Sequence, residues 1–185
     1  TDGASNNTIK NVAVAGSGST QTLVGVGFGG TTIGVASNGV DMDGNTVQNC
    51  RITSAQYGIY SAGASAANKN AGTQIVGNAV NDVSPNNVSL GGIYVRFEDG
   101  VTISGNQVGE VTRASGTNFG ISLGMAASTN QLSTTTGDEV TNATVTRNKV
   151  AAINSPSSTG YSAIGLSVAP AASAASRGGA KALSR

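Results

Sequence analysis

Short stretches in which aliphatic and polar residues alternate recur along the chain. Residues 73–80, 102–108 and 144–150 share one pattern: an aliphatic residue after a polar one, Asn three residues later, and Val two residues after that Asn. Weaker copies surround Ile9 and Val47. Alternation with a period of two over so few residues is typical of β-strands with one buried face. The repetition predicts that these strands stack on one another in successive coils.

Aligning the copies predicts where each coil turns. The aliphatic column contains Ile9, Val47, Ile75, Ile103 and Val145. The column three residues earlier contains Asn6, Gly44, Gly72, Gly100 and Asn142. Gly and Asn adopt a left-handed backbone more readily than other residues. The second column therefore predicts a turn before each strand.

A third column predicts an asparagine ladder. Its members, three residues after each aliphatic position, are Val12, Cys50, Asn78, Asn106 and Asn148. Stacked amides at a bend can satisfy backbone groups of the neighbouring coils. Within this ladder Cys50 is interpreted as a small buried residue rather than a reactive thiol. The spacing of Cys50, Asn78 and Asn106 predicts a coil of about 28 residues, with insertions at residues 16–37 and 124–139.

A second repeated phrase predicts another strand in every coil. Its copies are residues 39–42, 58–60, 92–95, 120–123 and 163–166. The aliphatic positions of this phrase are expected to point inward. The residues left on the outside would stack into one exposed face, formed by Asp41, Tyr60, Tyr94, Ser122 and Gly165.

Together these patterns predict an all-β fold, a right-handed single-stranded parallel β-helix (a solenoid) of about five coils. Coils about 4.8 Å apart give a stack of roughly 24 Å, and the preference of parallel crossovers predicts the right hand. The two repeated phrases and the asparagine ladder resemble the right-handed β-helix repeats of the pectate-lyase-like superfamily over about residues 5–168. This resemblance implies the architecture and not a particular activity.

The predicted domain organisation is one β-helix domain over residues 1–168 and a low-complexity tail or short cap over residues 169–185. Solenoids need capped ends, and the residues before Ser5 are too few to cover the first coil. We therefore expect further coils of a longer parent protein upstream.

Composition excludes several function classes. Charged residues make up 10% of the chain and the net charge is +1, without a basic stripe, so nucleic acid is not an expected partner. No apolar run approaches the roughly 20 residues that cross a bilayer, so no membrane span is expected. The single Cys50 excludes an internal disulfide. Abundant Gly, Ser, Thr and Asn predict a secreted or cell-surface bacterial protein.

The predicted exposed face is the first place to look for a binding site. Members of the superfamily act on polysaccharides with Ca²⁺-binding carboxylates and a basic residue, or with paired carboxylates. No catalytic motif of the family matches this sequence, and His is absent, so the catalytic residues are unknown. If the chain were a hydrolase, Asp138 or Glu139 from the second insertion would complete its pair of catalytic carboxylates. The predicted carbohydrate-binding residues are Asp41, Asp43, Tyr60, Tyr94, Arg96 and Ser122.

No cofactor or metal is predicted. Residues 41–45 superficially resemble a Ca²⁺ loop, but Thr46 and Ile52 stand where an EF-hand needs Gly and Glu. A plain Asp-Gly turn is the preferred interpretation, with Ca²⁺ as the alternative. A flat row of outward Thr residues also suggests ice binding, although β-propensity explains that row more simply.

The leading functional hypothesis is an extracellular or surface β-helix module that binds carbohydrate, or is structural, without catalysis in this segment. The alternative is part of a polysaccharide lyase, glycoside hydrolase or uronan epimerase. A purely structural spacer is the third hypothesis. Polysaccharide is the predicted partner in the first two.

Overall fold

A computed structural model describes residues 3–30, 38–114, 117–125, 138–156 and 163–169. These residues form eighteen short β-strands, and none of them is helical. The strands of the first two coils are β1 (Thr8–Lys10), β2 (Ala13–Ala15), β3 (Val24–Phe28), β4 (Thr46–Gln48), β5 (Arg51–Thr53) and β6 (Tyr57–Ala62). The third and fourth coils contain β7 (Asn70–Ala71), β8 (Gln74–Val76), β9 (Ala79–Val80), β10 (Gly91–Arg96), β11 (Glu98–Asp99), β12 (Thr102–Ser104), β13 (Gln107–Gly109) and β14 (Asn118–Leu123). The fifth coil contains β15 (Val140–Thr141), β16 (Thr144–Thr146), β17 (Lys149–Ala151) and β18 (Ala163–Val168).

Strands from successive coils pair in parallel and form four stacked sheets. Sheet 1 has the order β1-β4-β8-β12-β16, and sheet 2 has the order β2-β5-β9-β13-β17. Sheet 3 has the order β3-β6-β10-β14-β18, and the short sheet 4 has the order β7-β11-β15. Parallel strands in stacked sheets, with no helix among the described residues, are consistent with a β-solenoid. The predicted all-β class and stacking are confirmed at this level.

The predicted register of sheet 1 is confirmed. Ile9 pairs with Val47, Val47 with Ile75, Ile75 with Ile103, and Ile103 with Val145. The middle three members are fully buried, and the two end members are half-buried against the same core. Stacking equal aliphatic side chains at each level builds a continuous narrow core from small residues.

The predicted turn column is also confirmed. All five of its members have a left-handed backbone, with φ between 52° and 69°. The residue just before each ladder position bends in the same way, because Asn11, Asn49, Gly77, Gly105 and Arg147 also have positive φ. Each coil thus turns at two fixed positions, and the strand of sheet 1 lies between them.

The asparagine ladder forms as predicted. The backbone N–H groups of Asn78 and Asn106 each donate to the side-chain oxygen of the next ladder Asn, Asn106 and Asn148 respectively, at 2.9 Å. Buried Cys50 occupies the ladder position in the coil before Asn78, and its backbone N–H donates to Asn78 Oδ1 at 2.9 Å. Each ladder amide nitrogen also donates to a carbonyl of the preceding coil, Ile75 in the case of Asn106. The ladder therefore satisfies backbone groups that a bend leaves unpaired.

The prediction for sheet 3 was wrong at both ends of the stack. In the first coil the paired strand is β3, with Val26 opposite Ile59 and Gly27 opposite Tyr60, and not residues 39–42. In the fifth coil Leu166 lies opposite Ile121, two residues from the predicted register. A strand shifted by two residues keeps the same side chains inward, so alternation alone does not distinguish the two registers.

Glycine packing explains why β3 takes the place of residues 39–42. Near the start of β3, β6, β10 and β14 in sheet 3, a glycine faces a side chain of sheet 2 with no room for a Cβ. A Cβ at Gly25 would lie 2.3 Å from Ile52 Cγ2, and one at Gly92 would lie 2.2 Å from Val108 Cγ1. β3 supplies this glycine at the required distance from β2. Residues 39–42 instead run beside the third coil, where the Met42 N–H donates to Asn70 Oδ1 at 2.9 Å.

The predicted insertions differ in outcome. The first, residues 16–37, was wrong as an insertion where it contains β3, and its residues 31–37 lie outside the described residues. The second begins at Gly124 and returns at Asp138, whose N–H donates to the Gly124 carbonyl at 2.8 Å. Its residues 126–137 lie outside the described residues, as do residues 170–185 of the predicted tail.

Candidate functional site

The predicted outer column of sheet 3 exists, but its predicted exposure was wrong. Tyr94 pairs with Tyr60 on one side and with Ser122 on the other. The three residues are only 4% (Tyr60), 3% (Tyr94) and 0% (Ser122) exposed. Gly27 and Ser167 complete the column, so Asp41 and Gly165 do not belong to it. No sugar can stack on these tyrosine rings while they are covered in this way.

A second apolar cluster buries this side of sheet 3. Tyr94 lies at its centre, with ring centroids 5.8 Å from Tyr57, 5.5 Å from Tyr60 and 5.3 Å from Phe119. The Tyr94 hydroxyl donates to the carbonyl of buried Met125 at 2.7 Å. Burial raises the pKa of Tyr94 far above its ordinary value. Strands β6, β10 and β14 of sheet 3 are therefore covered on both sides, with the aliphatic core inside and the aromatic cluster outside.

Arg96, at the end of β10, holds the polar edge of this cluster together. Its Nε donates to Asp138 Oδ2 at 2.5 Å. Its Nη1 donates to the Tyr60 hydroxyl at 3.1 Å, and its Nη2 donates to Asn38 Oδ1 at 3.3 Å. Arg96 is itself only 3% exposed. The structure thus brings buried Arg96, buried Tyr60 and half-buried Asp138 together as a hydrogen-bonded group.

Asp41 and Asp43 lie elsewhere, at the corner between sheet 4 and sheet 1. Asp43 is exposed, and its Oδ1 accepts the Ala71 N–H at 2.6 Å. Asp41 is half-buried, and its carbonyl accepts the Gly3 N–H at 2.7 Å. The predicted Asp-Gly turn is confirmed, since Gly44 has a φ of 65°. The six predicted binding residues therefore do not form one face.

Asp99 occupies the same corner two coils further along. It pairs with Ala71 on one side and Thr141 on the other. Its Oδ1 accepts hydrogen bonds of 2.7 Å from the Thr141 hydroxyl and from Asn142 Nδ2. These two donors lower the pKa of Asp99. The second and fourth coils thus each carry one carboxylate, Asp43 and Asp99 respectively, at the same accessible corner.

Sequence reasoning missed a buried polar cluster around Glu98. This carboxyl group is completely buried, and its Oε1 accepts hydrogen bonds from the Ser61 hydroxyl and from Asn70 Nδ2, the latter at 3.0 Å. Burial raises the pKa of Glu98 to about 7. The alternation could have found it: Asp99 points outward at the corner, so its neighbour Glu98 must point inward.

The outer side of sheet 1 presents an accessible, mainly polar surface across five strands. One row across it contains Thr8, Thr46, Gln74, Thr102 and Thr144 in register. The parallel row contains Lys10, Gln48, Val76, Ser104 and Thr146. Apart from buried Ser104, these residues are half-buried or exposed. We refer to the two rows and the Asp43–Asp99 corner as the sheet 1 surface.

The described residues contain no group of three His, Cys, Asp or Glu side chains suited to a metal ion. None of their segments is a helix long and apolar enough to span a membrane.

The predicted reactive groups are held in structural contacts. Arg96 is buried against Asp138, and Glu139 lies 3.3 Å from Lys69 Nζ in a second ion pair. These ion pairs hold segments of the chain together, whereas the side chains of the sheet 1 surface are accessible for hydrogen bonding.

Comparison of the chain with protein-family models, with curated proteins and with solved structures found no match.

Proposed function

We propose that this chain is a non-catalytic module of a secreted or cell-surface bacterial protein, and that it binds polysaccharide on the sheet 1 surface. A right-handed winding and the resemblance to pectate-lyase-like β-helices belong to the same proposal. The observation that carries it is the regular row of accessible hydroxyl and amide side chains along five stacked strands.

The spacing of this row suits a linear polymer. Side chains on neighbouring strands are about 4.8 Å apart, so a chain of sugars lying along the stack meets a hydrogen-bonding group at every coil. Thr hydroxyls and the Gln74 amide both donate and accept hydrogen bonds, as sugar hydroxyls do. Asp43 and Asp99 add acceptors at the edge of this surface. Their negative charge favours a neutral polysaccharide over a uronate polymer.

The buried contacts of the predicted reactive groups support the absence of catalysis. A general base must reach the proton that it removes. Arg96 is instead buried and paired with half-buried Asp138, and it also donates a hydrogen bond to Tyr60. The Asp43 carboxylate is accessible, but one of its oxygens accepts a backbone N–H.

Affinity electrophoresis against neutral and uronate polysaccharides tests the proposal. We expect retardation by a neutral polymer, and we expect Gln74→Ala to weaken binding roughly tenfold, because one lost hydrogen bond is worth about 1 to 1.5 kcal/mol. The matched control is Gln107→Ala, which removes an exposed Gln from sheet 2. Retardation by no polymer would favour the structural spacer, and equal effects of the two substitutions would contradict the assigned surface.

The enzyme alternative is tested separately. One observation favours it, because Arg96 and Asp138 lie together and a lyase or hydrolase needs a base or carboxylate beside its substrate. Release of unsaturated oligosaccharides from uronate polymers, measured by ultraviolet absorbance, would establish a lyase. We expect no such release, because Arg96 is buried and the Asp138 carboxylate is paired with it.

A further inference from the structure

We propose that Glu98 is a pH-sensitive element of the fold, which stabilises the corner of the stack as a neutral acid and loosens it when it ionises. The inference is independent of the proposed polysaccharide binding. It rests first on the position of the side chain, which points into the interior from β11 and has no exposed surface.

The hydrogen bonds that Ser61, Thr73 and Asn70 make with Glu98 lower its pKa, but burial raises the pKa and outweighs them. Ser61 on β6, Asn70 on β7 and the nearby Thr73 are neutral. The charged group that acts on Glu98 is Asp43, whose negative charge disfavours a second carboxylate. Val140, which pairs with Glu98 from β15, is apolar. An ionised carboxylate without a cation is costly in such surroundings.

The hydrogen bonds also fit a protonated carboxyl group. Oε1 accepts from Ser61 and Asn70, as a carbonyl oxygen does. Within the described part of the chain, Oε2 of Glu98 and the hydroxyl oxygen of Thr73 are both buried without a well-formed hydrogen bond. A proton on Oε2 turns that oxygen into a donor. Thr73 interacts with the Glu98 carboxyl group, and its hydroxyl can accept a hydrogen bond from that donor, because a hydroxyl both donates and accepts.

The cluster connects three consecutive coils, so its ionisation has structural consequences. Ser61 belongs to the second coil, Asn70 and Thr73 to the third, and Glu98 to the fourth. Asn70 also accepts the N–H of Met42 from the second coil at 2.9 Å. A charge on Glu98 would draw water into this junction.

The direction of the pH dependence follows from linkage. The pKa of Glu98 is about 7 in the folded chain, against 4.5 as its ordinary value. The folded state therefore binds the proton more tightly, and stability falls as the pH rises from about 4.5 to 7. For an opening that fully exposes Glu98, the opening constant increases about tenfold per pH unit over this range and is constant above it.

Two measurements test the proposal. The first is ¹³C NMR titration of the Glu98 carboxyl group, for which we expect a midpoint near pH 7 and a lower midpoint in Asp43→Asn. The second is hydrogen exchange of the Asn70, Gly72 and Gly100 amides between pH 5 and 8, corrected for intrinsic exchange. We expect the opening of these amides to increase with pH in the wild-type chain and in the control Glu110→Gln, and to be constant in Glu98→Gln.

The outcomes are distinct. A wild-type midpoint near the ordinary value for Glu would overturn the proposal, as would the same pH-dependent exchange in Glu98→Gln. If Glu98→Gln does not fold, the wild-type titration still decides, because it needs no substitution at Glu98.

Discussion

At the scale of single residues, the structure depends on a few positions whose chemistry the backbone requires. The turn column uses only Gly and Asn because each coil enters sheet 1 through a left-handed residue. The ladder uses Asn because one side chain both accepts a backbone N–H and donates to a carbonyl. Both features were predicted from the sequence, since both depend on residue identity at a fixed spacing.

The ladder makes a prediction for Asn106. Replacing Asn106 with Leu should lower the free energy of unfolding by about 1 to 3 kcal/mol, because the N–H of Asn78 and the carbonyl of Ile75 lose their partners inside the protein. Urea unfolding measures the change. The neighbouring Gln107→Leu is the control, because Gln107 is exposed, and it should have little effect. An unchanged midpoint for Asn106→Leu would contradict the role of the ladder.

The burial of the Glu98 carboxyl group was not predicted from the residue patterns. Its sequence context, Glu-Asp-Gly, is that of an exposed turn, and a buried carboxyl group runs against the usual preference of Glu for the surface. Its burial follows from alternation within a two-residue strand, which is too short to stand out in the sequence.

At the scale of elements, sheet 3 differs from the other sheets because its middle strands β6, β10 and β14 are covered on both sides. Alternation correctly predicted which residues face outward, and it placed Tyr60, Tyr94 and Ser122 in one column. Whether an outward side is accessible depends on residues far away in the sequence, such as Met125 and Asp138, which reach over the sheet. No pattern within the strand carries that information, so the predicted exposure of this column was wrong.

Arg96 provides a test of this second covered side. Arg96→Met should lower the free energy of unfolding by about 3 to 5 kcal/mol, because it leaves the Asp138 carboxylate without its buried partner. Replacing Asp138 with Leu in the same chain should recover part of that loss, as measured by a double-mutant cycle in urea.

The control is the exposed pair of Arg51 and Asp82. The Arg51 side chain is 60% exposed, so Arg51→Met should cost no more than about 1 kcal/mol. Similar losses from the two arginine substitutions would show that Arg96 does not act as a buried partner.

At the scale of the whole molecule, the stack has a well-packed middle and a more open end in the fifth coil. In the fourth coil, Ile121 and Leu123 are buried, whereas their partners Leu166 and Val168 in β18 are 51% and 73% exposed. In a stack of coils, each one is stabilised mainly by its neighbours. The fifth coil should therefore open more readily than the central ones.

Hydrogen exchange measures this gradient. We expect amide protection to be greatest in β10 and β12 and lowest in β17 and β18, because opening the fifth coil exposes little additional apolar surface. Uniform protection across all five coils would show instead that the stack opens as one cooperative unit.

The constant spacing from each turn residue to its ladder position, six residues in every coil, has a consequence for how such a chain can change. Differences in coil length fall after the ladder, as in the segments 54–56 and 81–90 that lead from sheet 2 to sheet 3. Connections there can lengthen, shorten or be exchanged while every level of the stack stays aligned. The fold therefore offers a scaffold on which new loops can be grafted and selected for recognition, with little risk to the architecture that carries them.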